Sequence, residues 1–302
     1  PDDLESEDAR VPVRLSSSET SRRLAVRPPN LEFCCRPAGR PEGIVRWLPR
    51  LGEFNFGSQE DAHELLRSVL RLIEDEELRE CSEALRRQTS GAGAGLGAAP
   101  LLEPNADLTA APSRLFGGLL VSQCTCTNRE CAANSYTFEA FMDLSLDITE
   151  ATDSVEDALK LFTAPERLDK KNGWKCETCS QTVRARKQLT IYSAPNLLVL
   201  NLKRFRYGGM QNKVTRSVSF EVSLNLRPFL WRHSAAETEV GKPLMYELRA
   251  VVVHLDKAGF SHFGHYVAYV PRRAPEGAQG HVRWYLLDDS QVTEVSEAEV
   301  RQ

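Results

Sequence analysis

An α+β fold is predicted by three observations: a helical stripe in the front third, a rear half filled with strand-like segments, and no internal repeat. With 302 residues the chain has length for one large domain or two small ones, and ample material for a buried core. Its 41% hydrophobic and 26% charged content is ordinary for a soluble globular protein. A net charge of −4 argues against a general nucleic-acid binder and tolerates a basic protein partner. No apolar run approaches the roughly 18 residues of a membrane span. The chain opens on Pro1-Asp2-Asp3-Leu4, without an initiator Met or an apolar signal region, and so reads as a fragment of something longer. Eight cysteines are too few in a chain this long for a disulfide scaffold.

Taken in order, residues 1–40 are polar, carry the Ser16-to-Ser21 cluster and lack periodicity, so disorder is expected there. Ala62, Leu65, Leu66, Val69, Leu70 and Ile73 fall at helical spacing. With Ser58 and Asp61 as a capping box, a helix is predicted from near Ser58 to about Arg79. Residues 89–113 are a Gly/Ala/Pro-rich insert, which a domain can loop out cheaply because closure entropy grows slowly with length. Phe141 to Ile148 alternates like a strand, and Ser154 caps a short helix through Phe162. Strand composition marks Gln188–Tyr192, Asn196–Phe205, Ser217–Val222, Tyr246–Leu255, His265–Val270 and Val282–Leu287. Asn196 to Leu202, entered through Pro195, is apolar enough to predict a central buried strand.

The last two strands carry chemistry. Pro271 to His281, with Pro275, Gly277 and Gly280, reads as a turn. A hairpin centred between Glu276 and Gly277 puts His265 opposite Asp288, within cross-strand reach. An imidazole held by a carboxylate is the general-base half of a nucleophilic hydrolase, and the competing reading is a structural histidine beside a turn acid. Of six histidines, His265 alone has a glycine before it, a strand after it and an acid opposite. His262 reads as the loop entering that strand and His254 as a buried strand residue; surface loops are the default for His233 and His281.

Cys176 and Cys179 have the two-residue spacing of a metal knuckle. Cys126 and Cys131, with four residues between them, form a looser pair in which Cys124 competes. The long span between the pairs implies two hairpins brought together by the fold. Zinc held by Cys126, Cys131, Cys176 and Cys179 is expected to be structural, since four thiolates leave no position open for water. The competing reading is a degenerate site. Cys34, Cys35, Cys81 and Cys124 are taken as inert small side chains.

The acid-rich helix start Ser58-Gln59-Glu60-Asp61-Ala62-His63-Glu64-Leu65-Leu66, the two cysteine pairs, Gly264-His265-Tyr266 and Asp288-Asp289 occur in the order that resembles the ubiquitin-specific protease family of cysteine deubiquitinases. The similarity covers roughly Pro41 to the end, interrupted by the insert. It implies a papain-like architecture with a helical thumb, fingers bearing a zinc ribbon and a β-rich palm, with residues 41–302 as a partial catalytic domain. It implies hydrolysis of the isopeptide bond at the ubiquitin C-terminus: His265 as general base then acid, Asp288 as its orienter and Asp289 as the fallback. By the same analogy Asp61 contacts the arginines of ubiquitin's tail, though it can equally serve as a helix cap; His63 lies off the apolar stripe and reads as structural.

The family's nucleophile lies in a Gly-Asn-Thr-Cys type box before the acid-rich box, and no such run occurs here. Cys34 and Cys35 stand close before Gln59 and lack the oxyanion-assisting asparagine, so neither fits that role. The expectation is a fragment of an active deubiquitinase without its nucleophile. Two alternatives are a catalytically inactive ubiquitin-binding module and a zinc-stabilised interaction domain. The implied partners are ubiquitin and ubiquitinated proteins, with no nucleic acid and no membrane, in an intracellular setting of cytoplasm or nucleus.

Overall fold

The computed structural model describes residues 48–51, 54, 60–90, 110–169, 173–205, 213–232, 242–257, 260–273 and 282–301. The expectation for residues 1–40 lies outside them, as do Ser58, His233, His281, Cys34 and Cys35. In chain order the main elements are α1 (Ala62–Ser90), α2 (Ala111–Phe116), β1 (Gly118–Cys126), β2 (Asn134–Phe141), β3 (Leu144–Leu146), α3 (Val155–Phe162), β4 (Glu166–Leu168), β5 (Trp174–Lys175), β6 (Thr182–Val183), β7 (Ala185–Ser193), β8 (Leu200–Leu202), β9 (Ser223–Asn225), β10 (Met245–Glu247), β11 (Val251–Lys257), β12 (Phe260–Arg273), β13 (Val282–Asp288), β14 (Gln291–Val295) and α4 (Glu297–Val300). Helices lead and strands fill the rest, as an α+β fold requires.

Asp61 caps α1. Its Oδ1 accepts from the backbone N–H of His63 at 2.7 Å and of Glu64 at 3.1 Å, while its carbonyl accepts the first helical bond from Leu65. The helix also runs past the predicted end at Arg79 to Ser90. Good helix formers continue beyond that point, and Arg79 pairs with Glu76 and Glu83 one turn either side. The predicted insert is shorter than 89–113. Ala110 and Pro112 are buried, Ala111 N–H donates to Glu77 Oε2 at 2.6 Å and Ser113 Oγ donates to Glu74, so α2 packs on α1. Only 91–109 within that stretch lies outside the described residues.

Two larger sheets organise the remainder. One has strand order β2-β1-β7-β4, with its long pairs antiparallel; the other, β11-β12-β13-β14, is antiparallel throughout. A core of Leu120, Leu144, Leu146, Ala158, Leu159, Ile191, Leu226 and Phe229 joins β1, β3, β7 and α3 with the segment after β9. Helix α3 forms as predicted: Ser154 Oγ accepts from Asp157 N–H at 3.1 Å, and the fully buried Ala158 and Leu159 face that core. His63 fastens α1 to the same body, its Nε2 lying 2.9 Å from Asp143 Oδ2 in the turn between β2 and β3.

Several strand expectations are corrected. Asn196–Phe205 is not a central strand. Only Leu200–Leu202 forms a strand, in parallel with β3; Phe205 makes an isolated bridge to Lys213, and Leu197 and Phe205 are exposed. Ser217–Val222 makes one isolated bridge, Ser219 to Ser154, and the strand starts afterwards at Ser223. Phe141–Ile148 divides between the end of β2 and β3; Tyr246–Leu255 divides between β10 and β11. The predicted turn Pro271–His281 begins later, because β12 continues to Arg273, and His262 lies inside that strand.

Candidate active site and thiolate cluster

The site sits where β12 and β13 emerge side by side. Ala268 pairs with Leu287 and Tyr269 with Leu286, a register displaced by two residues from the predicted one. A displacement of two preserves which face each side chain occupies, whereas a displacement of one would have reversed it. Asp288 therefore still shares a face with His265 and reaches it diagonally, with Oδ1 2.6 Å from Nε2. Asp289 stands behind, its Oδ2 4.0 Å from the same nitrogen and far more exposed. It occupies the tight turn into β14 with φ of 51°, a conformation that Asp tolerates better than most residues.

Asp288 engages the ring through Nε2. The imidazole is 40% exposed, which leaves it reachable by a substrate.

The start of α1 meets the same strand. Tyr266, beside His265, receives a hydrogen bond from the backbone N–H of Ala62; burial first, then the Asp61 charge, pushes its phenol above the ordinary value. His254 on β11 lies opposite Tyr266, with ring centroids 4.8 Å apart. As the sequence suggested, it is a largely buried strand residue, 9% exposed at the side chain. Burial, followed by the nearby Lys213 ammonium, lowers its pKa, while Asp256 and Asp61 act in the opposite sense. Asp61 is thus both a helix cap and a neighbour of the strand that carries His265. Lys213 is the residue that sequence reasoning missed here. Its contacts span 41 positions and leave no periodic trace; the one available signal was Gly264, a small residue directly before the histidine.

Far along the first sheet, Cys126, Cys131, Cys176 and Cys179 converge, with all four sulfurs within 4.8 Å of one another. Cys126 ends β1 and Cys131 lies in the turn into β2, where its N–H donates to Asn128 at 3.0 Å. Cys176 and Cys179 occupy the turn of the β5–β6 hairpin, closed by Cys176 N–H to Gln181 at 3.0 Å. Two hairpins meet, as the spacing implied. Cys124, two positions back on β1, stays out of the group. The Sγ separations of 3.7 Å for Cys131–Cys176 and 4.0 Å for Cys126–Cys179 match a tetrahedron edge. Metal–sulfur bonds of about 2.3 Å give an edge of roughly 3.8 Å. Backbone N–H groups of Cys179 and Thr178 bring the Cys176 thiol down to about 7, while burial pushes Cys126 up to about 12. The donor set fits a metal ion.

A family model described as "Ubiquitin carboxyl-terminal hydrolase" matches residues 41–302. "Ubiquitin carboxyl-terminal hydrolase 15" of Arabidopsis thaliana is 36% identical over 269 residues, covering 88% of this chain and 26% of that protein. "Ubiquitin carboxyl-terminal hydrolase 42" of Homo sapiens is 33% identical, covering 84% of this chain and 16% of that protein. Among solved structures, the chain is similar to one in "Structure of the SAGA Ubp8/Sgf11/Sus1/Sgf73 DUB module bound to ubiquitin aldehyde". There the identity is 26% and the TM-score 0.64, over 86% of this chain and 51% of that one. The chain spans well under half the length of the curated relatives it matches.

Proposed function

The chain belongs to the ubiquitin carboxyl-terminal hydrolase family, and on that premise we propose that it carries the histidine–carboxylate half of a cysteine deubiquitinase site. The observation that carries this reading is the 2.6 Å contact between His265 Nε2 and Asp288 Oδ1 on paired strands. In the proposed reaction a cysteine thiolate attacks the carbonyl of ubiquitin's terminal glycine. His265 passes its proton to the departing lysine amine, forming the free amine and a thioester. It then takes a proton from the water that hydrolyses the thioester. Asp288 holds the ring in position and stabilises the imidazolium that forms.

The 302 residues contain no Gly-Asn-Thr-Cys run, so the nucleophile is assigned to the full-length protein rather than to this chain. The same observation favours a second reading, a ubiquitin-binding module without activity. In either reading Asp61, at the start of α1 and beside Tyr266, receives the cationic tail of ubiquitin. Cys126, Cys131, Cys176 and Cys179 would hold a zinc ion, which would fix the two hairpins relative to one another and leave no position open for water.

The test uses this chain with ubiquitin and with a fluorogenic amide of the ubiquitin C-terminus. Binding without turnover is expected, and Asp61→Arg should weaken that binding at least tenfold, since it reverses the charge facing the tail. Robust turnover abolished by Cys34→Ser or Cys35→Ser would contradict the placement of the nucleophile. Turnover by the full-length protein separates the enzyme from the inactive module.

A further inference from the structure

Lys213 lies behind the site. Its side chain is 9% exposed, and its ammonium makes three contacts: His254 Nδ1 at 3.1 Å, the His254 carbonyl at 3.0 Å and Asp256 Oδ1 at 2.5 Å. Three is the full donor capacity of an ammonium, which has no lone pair to accept with. With the ammonium as donor, His254 Nδ1 accepts and the ring proton resides on Nε2; in the other tautomer Nδ1 would instead donate to Asp256 Oδ1, 3.3 Å away.

The ring so fixed presses on the residue before the catalytic histidine. A Cβ added to Gly264 would lie 2.1 Å from His254 Nε2, 2.3 Å from Cε1 and 2.6 Å from the Leu255 carbonyl. Glycine is needed there because the imidazole occupies the space a side chain would take. Phe205 and Tyr266 stand edge-on to the ring, at centroid distances of 5.3 and 4.8 Å, and leave it little room to turn. The backbone of Gly264 pairs with Asp256, and His265 pairs with Leu255, on either side of this contact.

We propose that Lys213 is a positioning residue for His265: it clamps His254 through Nδ1, and the clamped ring forms the wall against which Gly264 sets the His265 imidazole before Asp288. The proposal rests on the reading of His265 as the general base. It adds a buried cation, remote in sequence, to the machinery that fixes the base.

Nitrogen NMR of the imidazoles in this chain tests the clamp without any turnover. His254 is expected as the Nε2–H tautomer in the wild type. Lys213→Met should lose that preference and shift the His265 ring nitrogens, while Lys213→Arg, which still donates, should keep most of both. In the full-length protein, Lys213→Met should lower kcat on a ubiquitin amide on the order of 10- to 100-fold with KM little changed, the pattern of a misplaced catalytic group. Lys213→Arg should recover part of the loss. An Nδ1–H tautomer in the wild type, or His265 resonances unmoved by Lys213→Met, would overturn the clamp. Retained turnover in His265→Ala would instead overturn the general-base reading and leave the NMR result to judge the clamp alone.

Discussion

Asp288 is a diagonal, not a direct, cross-strand neighbour of His265: with Ala268 level with Leu287, its carboxylate reaches back along the shared face to lie 2.6 Å from Nε2. A diagonal contact of this kind depends on the turn that follows, because Asp289 and Ser290 reverse the chain into β14. Asp289 holds φ of 51° in that turn. Replacing Asp289 with a β-branched residue such as Val is expected to cost about 1 kcal/mol or more of stability. Asp289→Gly should cost little. Chemical denaturation of the two variants checks this.

The His63–Asp143 pair joins α1 to the turn before β3, with side chains 19% and 14% exposed. Asp143 also accepts from Ser145 Oγ and faces Arg67. Asp143→Ala should strip a partner from each of these groups and destabilise the fold by about 1–3 kcal/mol. A urea midpoint unchanged by the substitution would show that α1 is held by packing alone.

Metal should stabilise the two cysteine hairpins. About one zinc per chain is expected in metal analysis of purified protein, and Cys176→Ser should reduce both metal content and melting temperature. Cys124→Ser should change neither, since that sulfur stands outside the cluster. A stable, metal-free wild type would contradict the structural role of zinc.

Replacing residues 91–109 by a short Gly/Ser linker is expected to leave the melt nearly unchanged, on the strength of composition. Extending the deletion to Ser113 should lower it clearly. That longer deletion removes buried Ala110 and Pro112 and the contacts to Glu74 and Glu77.

The pH dependence of stability should include an acid-side contribution from Asp256. Its hydrogen bond to Lys213 holds its carboxyl below the ordinary value. The stabilisation is therefore complete above the unfolded-state pKa of about 3.9 and is lost as pH falls through the lower folded-state value. Asp256→Asn should flatten that part of the curve.

Much of the site was legible because its signals are local. His265 follows a glycine and precedes a strand, an acid lies across one turn, and the knuckle spacing of Cys176 and Cys179 is nearly self-identifying. Even a register displaced by two kept the right pair on one face. The strands β1 and β2 escaped notice because much of both is polar or exposed, as in Ser122-Gln123 and Tyr136-Thr137, so no clean alternation marks them. Asn196–Phe205 misled in the opposite way, since its apolar residues pack beside the core from a mostly irregular segment. His254 was legible as a buried strand residue, but its contact with Lys213 and the contacts of Asp143 join distant segments and leave no local pattern.

The most direct test is the rate at which full-length protein hydrolyses a ubiquitin C-terminal amide before and after His265→Ala. Loss of about 10³-fold or more in kcat, with ubiquitin binding preserved and a smaller loss in Asp288→Asn, is the predicted result. Turnover within a few-fold of wild type in His265→Ala would contradict the account, because the imidazole held by Asp288 would then be a structural pair and the base would lie elsewhere.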